Sequence, residues 1–204
     1  MVNSPSDPRI TLSRVLIPAG FLLALLAEAL LPLAGVSCGA DTHGLIRICY
    51  PGWGAVSGTP DITSPFVMSP DPATVVGPAA TLPAGIRLVA ALTALVLLAG
   101  AASVLIPDTH RRATAGATAT ALSLVLLVAT AALAAAHTGS VFVYVDASSS
   151  AWLGVGDGAG VSGGFWLTLV LEVVTGAVVL ADIVRLRAAR FDADLRMPDP
   201  TTDG

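Results

Sequence analysis

The chain has 204 residues, of which 54% are hydrophobic and only 12% are charged, and its formal net charge is -4. A soluble domain carries roughly 25% charged residues, so a water-soluble fold is excluded and an integral membrane protein is predicted. All ten basic residues are arginines, and they form no basic patch with interleaved aromatic residues, which excludes nucleic acid as a partner.

Four stretches are apolar enough to cross roughly 30 Å of hydrocarbon, which takes about 20 residues. They cover residues 15–34, 86–106, 113–136 and 164–183. The pattern predicts an all-α membrane protein, a bundle of four transmembrane helices embedded in the lipid bilayer.

The first stretch also has features of a signal peptide. Arg9 and Arg14 precede it, and LAGVSC would offer Cys38 for lipidation. Its apolar run of about 20 residues is longer than the roughly 7–15 of a signal-peptide core, and Glu28 interrupts it. A retained helix is the preferred interpretation.

The distribution of arginines predicts the orientation, because cytoplasmic segments carry an excess of basic residues. With residues 1–14, the loop 107–112 and residues 184–204 in the cytoplasm, eight arginines lie inside. Only Arg47 and Arg87 are left outside. Both termini are therefore predicted to be cytoplasmic, in the plasma membrane.

The C-terminal tail is polar and contains proline, so it is predicted to be disordered. The lack of lysine, with abundant Ala, Val and Gly, is typical of a GC-rich bacterial genome.

The outer side then receives the loops 35–85 and 137–163. Cys38 and Cys49, the only cysteines of the chain, both fall in the first loop. On an oxidising face such a pair most simply forms a disulfide, which would stabilise the loop by about 3 kcal/mol. The alternative is a metal site that adds His43 and Met68, but this spacing matches no established zinc pattern. We predict the disulfide, with no metal and no cofactor.

Short runs with β-strand character occur in the outer loops, bounded by glycine and proline: Leu45–Tyr50, Ala73–Val76 and Val141–Val145. They predict a small extracytoplasmic cap that contains short strands. Trp166 is expected at the outer membrane interface, and Trp53 and Trp152 are expected to pack in the cap or anchor at the interface.

Gly158, Gly160 and Gly163 match the dinucleotide-binding pattern G-x-G-x-x-G. That pattern needs a βαβ unit around it, whereas here it leads into a predicted membrane span. We interpret the match as chance in a glycine-rich loop.

Two carboxyl groups lie inside predicted spans, Glu28 in the first and Glu172 in the fourth. Ionisable residues within a membrane are costly and by default indicate function. At 1.5 Å per residue they lie about 5 Å and 3 Å outward of their span centres, which predicts a common depth. If the two helices touch, the carboxyls would share a proton or hold a cation.

Other roles for the two carboxyls remain open. As neutral acids they would form hydrogen bonds across the bundle, or one of them would pair with Arg87 or with an arginine of another subunit. Hydroxyl partners on the second and third spans are Thr93, Thr118, Thr120, Ser123 and Thr130.

No constellation of catalytic residues is found, so an enzyme is disfavoured. The small size of the chain and the small residues of the third span favour an accessory or structural subunit of a larger membrane complex, with other membrane proteins or itself as partner. The alternative is a small proton- or ion-coupled transporter or channel that uses Glu28 and Glu172.

Overall fold

The computed structural model describes residues 8–40, 44–63, 81–139, 142–146, 151–154 and 160–195, and it is mostly helical. The helices are α1 (Pro8–Leu30), the short α2 (Gly52–Ser57), α3 (Ala84–Ala102), α4 (Thr109–Gly139) and α5 (Gly163–Leu195). A 3-10 turn at Ser103–Leu105 extends α3.

In the part of the chain that the structure describes, three helical segments are long and apolar enough to cross a membrane: Ala84–Leu105, Thr109–Thr138 and Gly163–Phe191. They coincide with the second, third and fourth predicted spans, so the presence of membrane-spanning helices is supported. The first predicted span, 15–34, extends past its helix. The α1 helix ends at Leu30, because Pro32 has no N–H to donate to the preceding turn.

The four long helices pack in a ring in which α1 and α4 each contact both α3 and α5. The centre of this ring is filled by a buried apolar cluster. Around it, leucine and valine side chains on all four helices face outward and are exposed. The cluster consists of Ile17, Phe21, Ala24, Leu97, Ala119 and Val179.

Glycines allow the helices to approach closely in this cluster. A Cβ at Gly100 would lie 2.6 Å from Cε1 of Phe21, and one at Gly176 would lie 2.7 Å from Cγ2 of Thr120. A Cβ at Gly20 would overlap the side chain of Thr175. Such close approach provides the van der Waals contact that holds helices together in lipid.

Strands form a cap at the end of the ring where α1 ends and α5 begins. A four-stranded antiparallel sheet has the order β3-β2-β1-β6, and β4 and β5 form a separate antiparallel pair. The strands are β1 (Pro32–Ala40), β2 (Gly44–Pro51), β3 (Asp61–Thr63), β4 (Phe142–Asp146), β5 (Ala151–Gly154) and β6 (Gly160–Val161).

The strand predictions are confirmed where the structure describes them. Leu45–Tyr50 lies within β2 and most of Val141–Val145 lies within β4, whereas Ala73–Val76 is outside the described residues. The sequence did not predict β1, which passes directly from the end of α1 into the sheet.

The cap is anchored to the ring through the start of β1. Leu33 is buried against Leu127, Ala131 and Phe165 from α4 and α5. Ser162, just before α5, donates a backbone hydrogen bond of 3.0 Å to the Leu33 carbonyl and a side-chain hydrogen bond to the Pro32 carbonyl. The sheet is therefore fixed relative to the ends of α1, α4 and α5.

The predicted Cys38–Cys49 disulfide is not supported. In the β1–β2 pairing Cys38 is opposite Ile46, and Cys49 is opposite Gly35, three residues away from Cys38 along the strand. At about 3.4 Å per residue this offset alone is about 10 Å, whereas bridged cysteines have Cα atoms 4.4–6.8 Å apart. The prediction was wrong because it used the sequence separation without the strand register. Of the metal-site alternative, His43 and Met68 lie outside the described residues.

Candidate functional site

The two carboxyls singled out by the sequence are both buried inside the helical ring. Glu28 lies in the last turn of α1 with 3% of its surface exposed, and Glu172 lies on α5 with 1% exposed. The two helices pack along one another. The structure thus places both predicted carboxyls at buried positions on two packed helices.

The antiparallel register of α1 and α5 fixes the relative height of the two carboxyls. Gly164 meets Leu31, and Thr175 meets Gly20, so the two contacts are eleven residues apart on both helices. Glu172 is three residues before Thr175 and is therefore level with the residue three after Gly20, which is position 23. Glu28 lies five residues further toward the cap, about 7.5 Å at 1.5 Å per residue. The two residues are therefore stacked along the bundle, with this offset between their Cα atoms.

Each carboxyl has one buried oxygen without a hydrogen-bond donor among the described residues, Oε2 of Glu28 and Oε1 of Glu172. The other oxygen of Glu172, Oε2, accepts a hydrogen bond of 2.9 Å from the Ser123 hydroxyl on α4. A buried acceptor left unpaired costs about 1–3 kcal/mol. Two buried acceptors without donors, one on each of two packed helices, are typical of a functional site.

Ser123 is the one predicted hydroxyl partner that the described structure places on a carboxyl. The threonine hydroxyls instead donate to backbone carbonyls four residues earlier in their own helices, at 2.8–3.0 Å, which satisfies them locally. This group comprises Thr93, Thr118, Thr120 and Thr130.

A cavity of about 450 Å³ lies between α1, α2 and α3, and Glu28 forms part of its wall. The other lining residues are apolar, including Leu25, Ala94 and Leu95. Trp53 of α2 completes the wall, with 72% of its surface exposed. Since Leu95 is also 59% exposed, the mouth of the cavity opens sideways, between α2 and the outward face of α3.

The short helix α2 covers Glu28 from the cap side. A Cβ at Gly52 would lie 2.8 Å from the carbonyl carbon of Glu28 and 3.0 Å from its Cγ, so only glycine allows this approach. The helix ends at Gly58 with φ of 85°, a left-handed conformation suited to glycine. The sequence did not predict α2 or the cavity, since six residues after a strand give too short a pattern to identify a helix.

Arg87, the third predicted site residue, lies apart from the carboxyl pair. Its Nε donates a hydrogen bond of 3.1 Å to the Val56 carbonyl near the end of α2. Among the described residues no ion pair joins Arg87 to Glu28 or to Glu172. Arg87 therefore fixes the helix that covers the site.

Within the described ranges no three His, Cys, Asp or Glu residues come together as a metal site would require. Of the glycine motif, Gly160 lies in β6 and Gly163 begins α5, while Gly158 is outside the described residues.

Compared with models of known protein families, with curated proteins and with solved structures, the chain matches none of them.

Proposed function

We propose that this chain is a small multi-pass membrane protein in which Glu28 and Glu172 bind and release a proton or a monovalent cation, so that it acts as a proton- or ion-coupled transporter. The observation that carries the proposal is the stacked pair of buried carboxyls on two packed helices, each with an unpaired oxygen. The cavity beside Glu28 adds a route by which a solute reaches this carboxyl.

The proposed fold in the membrane includes α1 as a fourth span. This helix belongs to the same ring as the three candidate spans. Its outward face is apolar, since Leu22, Leu23, Leu26 and Leu30 are each at least 51% exposed. Such a face favours lipid as its surroundings.

In the proposed orientation the protein lies in the plasma membrane with both termini in the cytoplasm. It rests on the eight-to-two distribution of arginines. In this orientation the cap faces the outside, the mouth of the cavity opens sideways next to the cap, and Glu172 lies deeper than Glu28.

The chemistry follows from the low dielectric of the site. Two carboxylates close together cannot both stay charged without a counterion, so a proton or a cation must accompany the pair. Glu28 borders the cavity and Glu172 does not. Protonation of Glu28 removes one of the two neighbouring charges and so favours the charged form of Glu172. Loss of that proton to the cavity leaves Glu28 charged and ready to bind again.

The hydroxyl of Ser123 suits either protonation state of Glu172. Its oxygen lies 2.9 Å from Oε2 of Glu172 and 3.1 Å from the Thr120 carbonyl oxygen. It donates to Glu172 when that carboxyl is charged. When Glu172 is protonated, the hydroxyl accepts from it and donates to the Thr120 carbonyl. The hydrogen bond between Ser123 and Glu172 is therefore kept when a proton binds to Glu172.

Flux through liposomes that contain the purified protein tests the proposal. Gradients of protons, Na⁺ and K⁺ are imposed in turn on wild type, Glu28→Gln, Glu172→Gln and the double variant. We expect one gradient to decay faster with wild type than with the double variant, and each single variant to lose as much as the double, because coupled residues act non-additively. Equal decay for all four proteins under every gradient would refute the proposal.

A subunit role in a larger membrane complex is the second candidate. It is favoured by α5, in which 22% of the apolar membrane-spanning stretch is buried, against 39% in α4. A partner helix would cover this face. Affinity purification after mild solubilisation should then yield a partner in fixed stoichiometry, and Val174→Arg on the exposed face of α5 should release it.

A further inference from the structure

The geometry points to the cavity beside Glu28 as a binding site for a protonated amine with an apolar body, which enters from the membrane and displaces the proton of Glu28. This inference rests on the proposed function, because it uses the same carboxyl and names the class of solute that is exchanged for the proton.

The charge of the ligand follows from the wall of the cavity. Among the described residues that line it, Glu28 is the only ionisable one, and the others are apolar or contribute backbone. Oε2 of Glu28 is buried and accepts no hydrogen bond from any described residue. An ammonium N–H would supply the missing donor together with the missing positive charge, whereas an anion would meet only a carboxylate.

The body of the ligand follows from the size and lining of the cavity. A volume of about 450 Å³ lies within the range of small-molecule pockets, roughly 300–1,000 Å³. Alanines at positions 29, 90, 91 and 94 leave this space open. A hydrated inorganic ion would leave most of these apolar walls without contact, so an apolar body fits them better.

The route of entry follows from the rim. Trp53 and Leu95 are the exposed residues at the mouth, and both are apolar or amphipathic, as at the boundary between lipid and water. The indole face of Trp53 also attracts a passing cation. An amphipathic amine concentrates at this depth of a membrane, with its ammonium near water and its body in hydrocarbon.

The exchange balances in protons and charge. The neutral Glu28 carboxyl releases its proton through the mouth of the cavity, and the arriving ammonium pairs with the carboxylate that remains. Net charge in the site is unchanged, because one cation replaces another. Binding therefore releases one proton per ligand.

The test compares three ligands that share one rigid apolar cage: adamantylamine, adamantanol and adamantanecarboxylate. Each is titrated into the purified full chain in lipid nanodiscs, with empty nanodiscs as reference. We expect saturable binding of the amine alone, with release of about one proton. Glu28→Gln should weaken binding by about tenfold or more, the ratio that corresponds to a lost charge-assisted hydrogen bond.

Variants locate the site. Ala94→Phe fills the cavity and should abolish binding, whereas Ala121→Phe places the same ring on an exposed position of α4 and should leave binding unchanged. Equal binding of the amine and the alcohol, or full binding by the Ala94→Phe variant, would overturn the inference.

The outcome is separable from that of the proposed function. Ion flux that depends on the two carboxyls, without amine binding, would overturn the amine inference and leave the coupled pair intact. Amine binding that depends on Glu28 and fills the cavity, without any flux, would support the binding site and count against transport.

Discussion

The inner and outer halves of the helical ring are built on opposite principles. In the inner half, around Phe21 and Val179, apolar side chains are buried and glycines bring the helices into direct contact. In the outer half, which begins at the level of Glu172 and ends at the cap, two carboxyls are buried with unpaired oxygens and a cavity of about 450 Å³ lies beside one of them. The inner half is tightly packed throughout, whereas the outer half combines the apolar cluster of Leu33, Leu127 and Phe165 with unpaired polar groups and open space.

Stability and function therefore reside in different parts of the helical ring. Close packing in lipid is the main source of helix association, so the inner half holds the ring together. Unpaired polar groups and open space reduce stability, and they persist where function needs them. Overpacking the inner half should therefore destabilise the protein, whereas replacing an unpaired carboxyl of the outer half by an apolar side chain should stabilise it.

The largest effect is expected from Gly100→Ala in the inner half. The new Cβ would lie 2.6–2.8 Å from three ring atoms of Phe21, and overpacking of this kind costs about 1–3 kcal/mol. Gly85→Ala on the same helix is the control, since a Cβ there has no neighbour within 4 Å, and alanine should raise helix stability by about 0.5–1 kcal/mol. Unfolding of purified protein by denaturant measures both. Equal stability of the two variants would show that the inner half is not tightly packed.

Ser123→Ala should have the next largest effect, about 1–2 kcal/mol, because it leaves the second oxygen of Glu172 without a donor. In a Glu172→Leu background the same change should cost much less, and the difference measures the coupling of the two residues. Thr118→Ala, on an exposed face of α4, is the control. If Ser123→Ala costs the same in both backgrounds, the hydrogen bond to Glu172 contributes nothing.

Glu28→Met should raise the free energy of unfolding by about 1 kcal/mol, since it replaces a buried carboxyl with an unpaired oxygen by an apolar side chain. The same variant should lose ion coupling, which separates stability from function in the outer half. A fall in stability would show that the carboxyl has a structural role.

The smallest effect is expected at the start of α4, away from the two carboxyls and the cavity. Oδ1 of Asp108 accepts hydrogen bonds of 2.8 Å and 3.2 Å from the backbone N–H groups of His110 and Arg111. These bonds lower the pKa of Asp108 below its usual value of 3.8. The stabilisation is therefore present above that value and is lost as the pH falls through the lowered pKa.

Asp108→Asn keeps an effective helix cap without a titrating group. Wild type should lose thermal stability relative to this variant as the pH is lowered through the carboxyl range, and Asp108→Ala should be less stable than either at neutral pH. An identical pH profile for wild type and the Asn variant would refute this role of Asp108.

The sequence predicted the long helices and the two carboxyls, but not how they are arranged relative to one another. Apolar stretches of membrane-spanning length predicted α3, α4 and α5, because periodicity and length are local properties. Glu28 and Glu172 were found for the same reason, as charges inside apolar runs. Their stacking could not be predicted, because it depends on the α1–α5 register that Gly20 and Gly164 set by their contacts.

The cap shows the same limit. The strand at Leu45–Tyr50 was predicted from its residues alone, whereas the disulfide failed because the β1–β2 register separates Cys38 from Cys49. The cavity and its cover α2 arise from three segments that are far apart in the sequence. Pairing between distant segments is decided by tertiary packing, and no local pattern encodes it.

The central claim is that Glu28 and Glu172 form one coupled site, and infrared titration of the carboxyl C=O stretch in nanodiscs tests it most directly. Wild type, Glu28→Gln and Glu172→Gln are titrated across the pH range, and each Gln variant identifies the band of the remaining carboxyl. The account predicts that the midpoint of each carboxyl moves when the other is replaced, because interacting groups titrate as a pair. Midpoints that stay unchanged in both variants would show two independent carboxyls and would contradict the account.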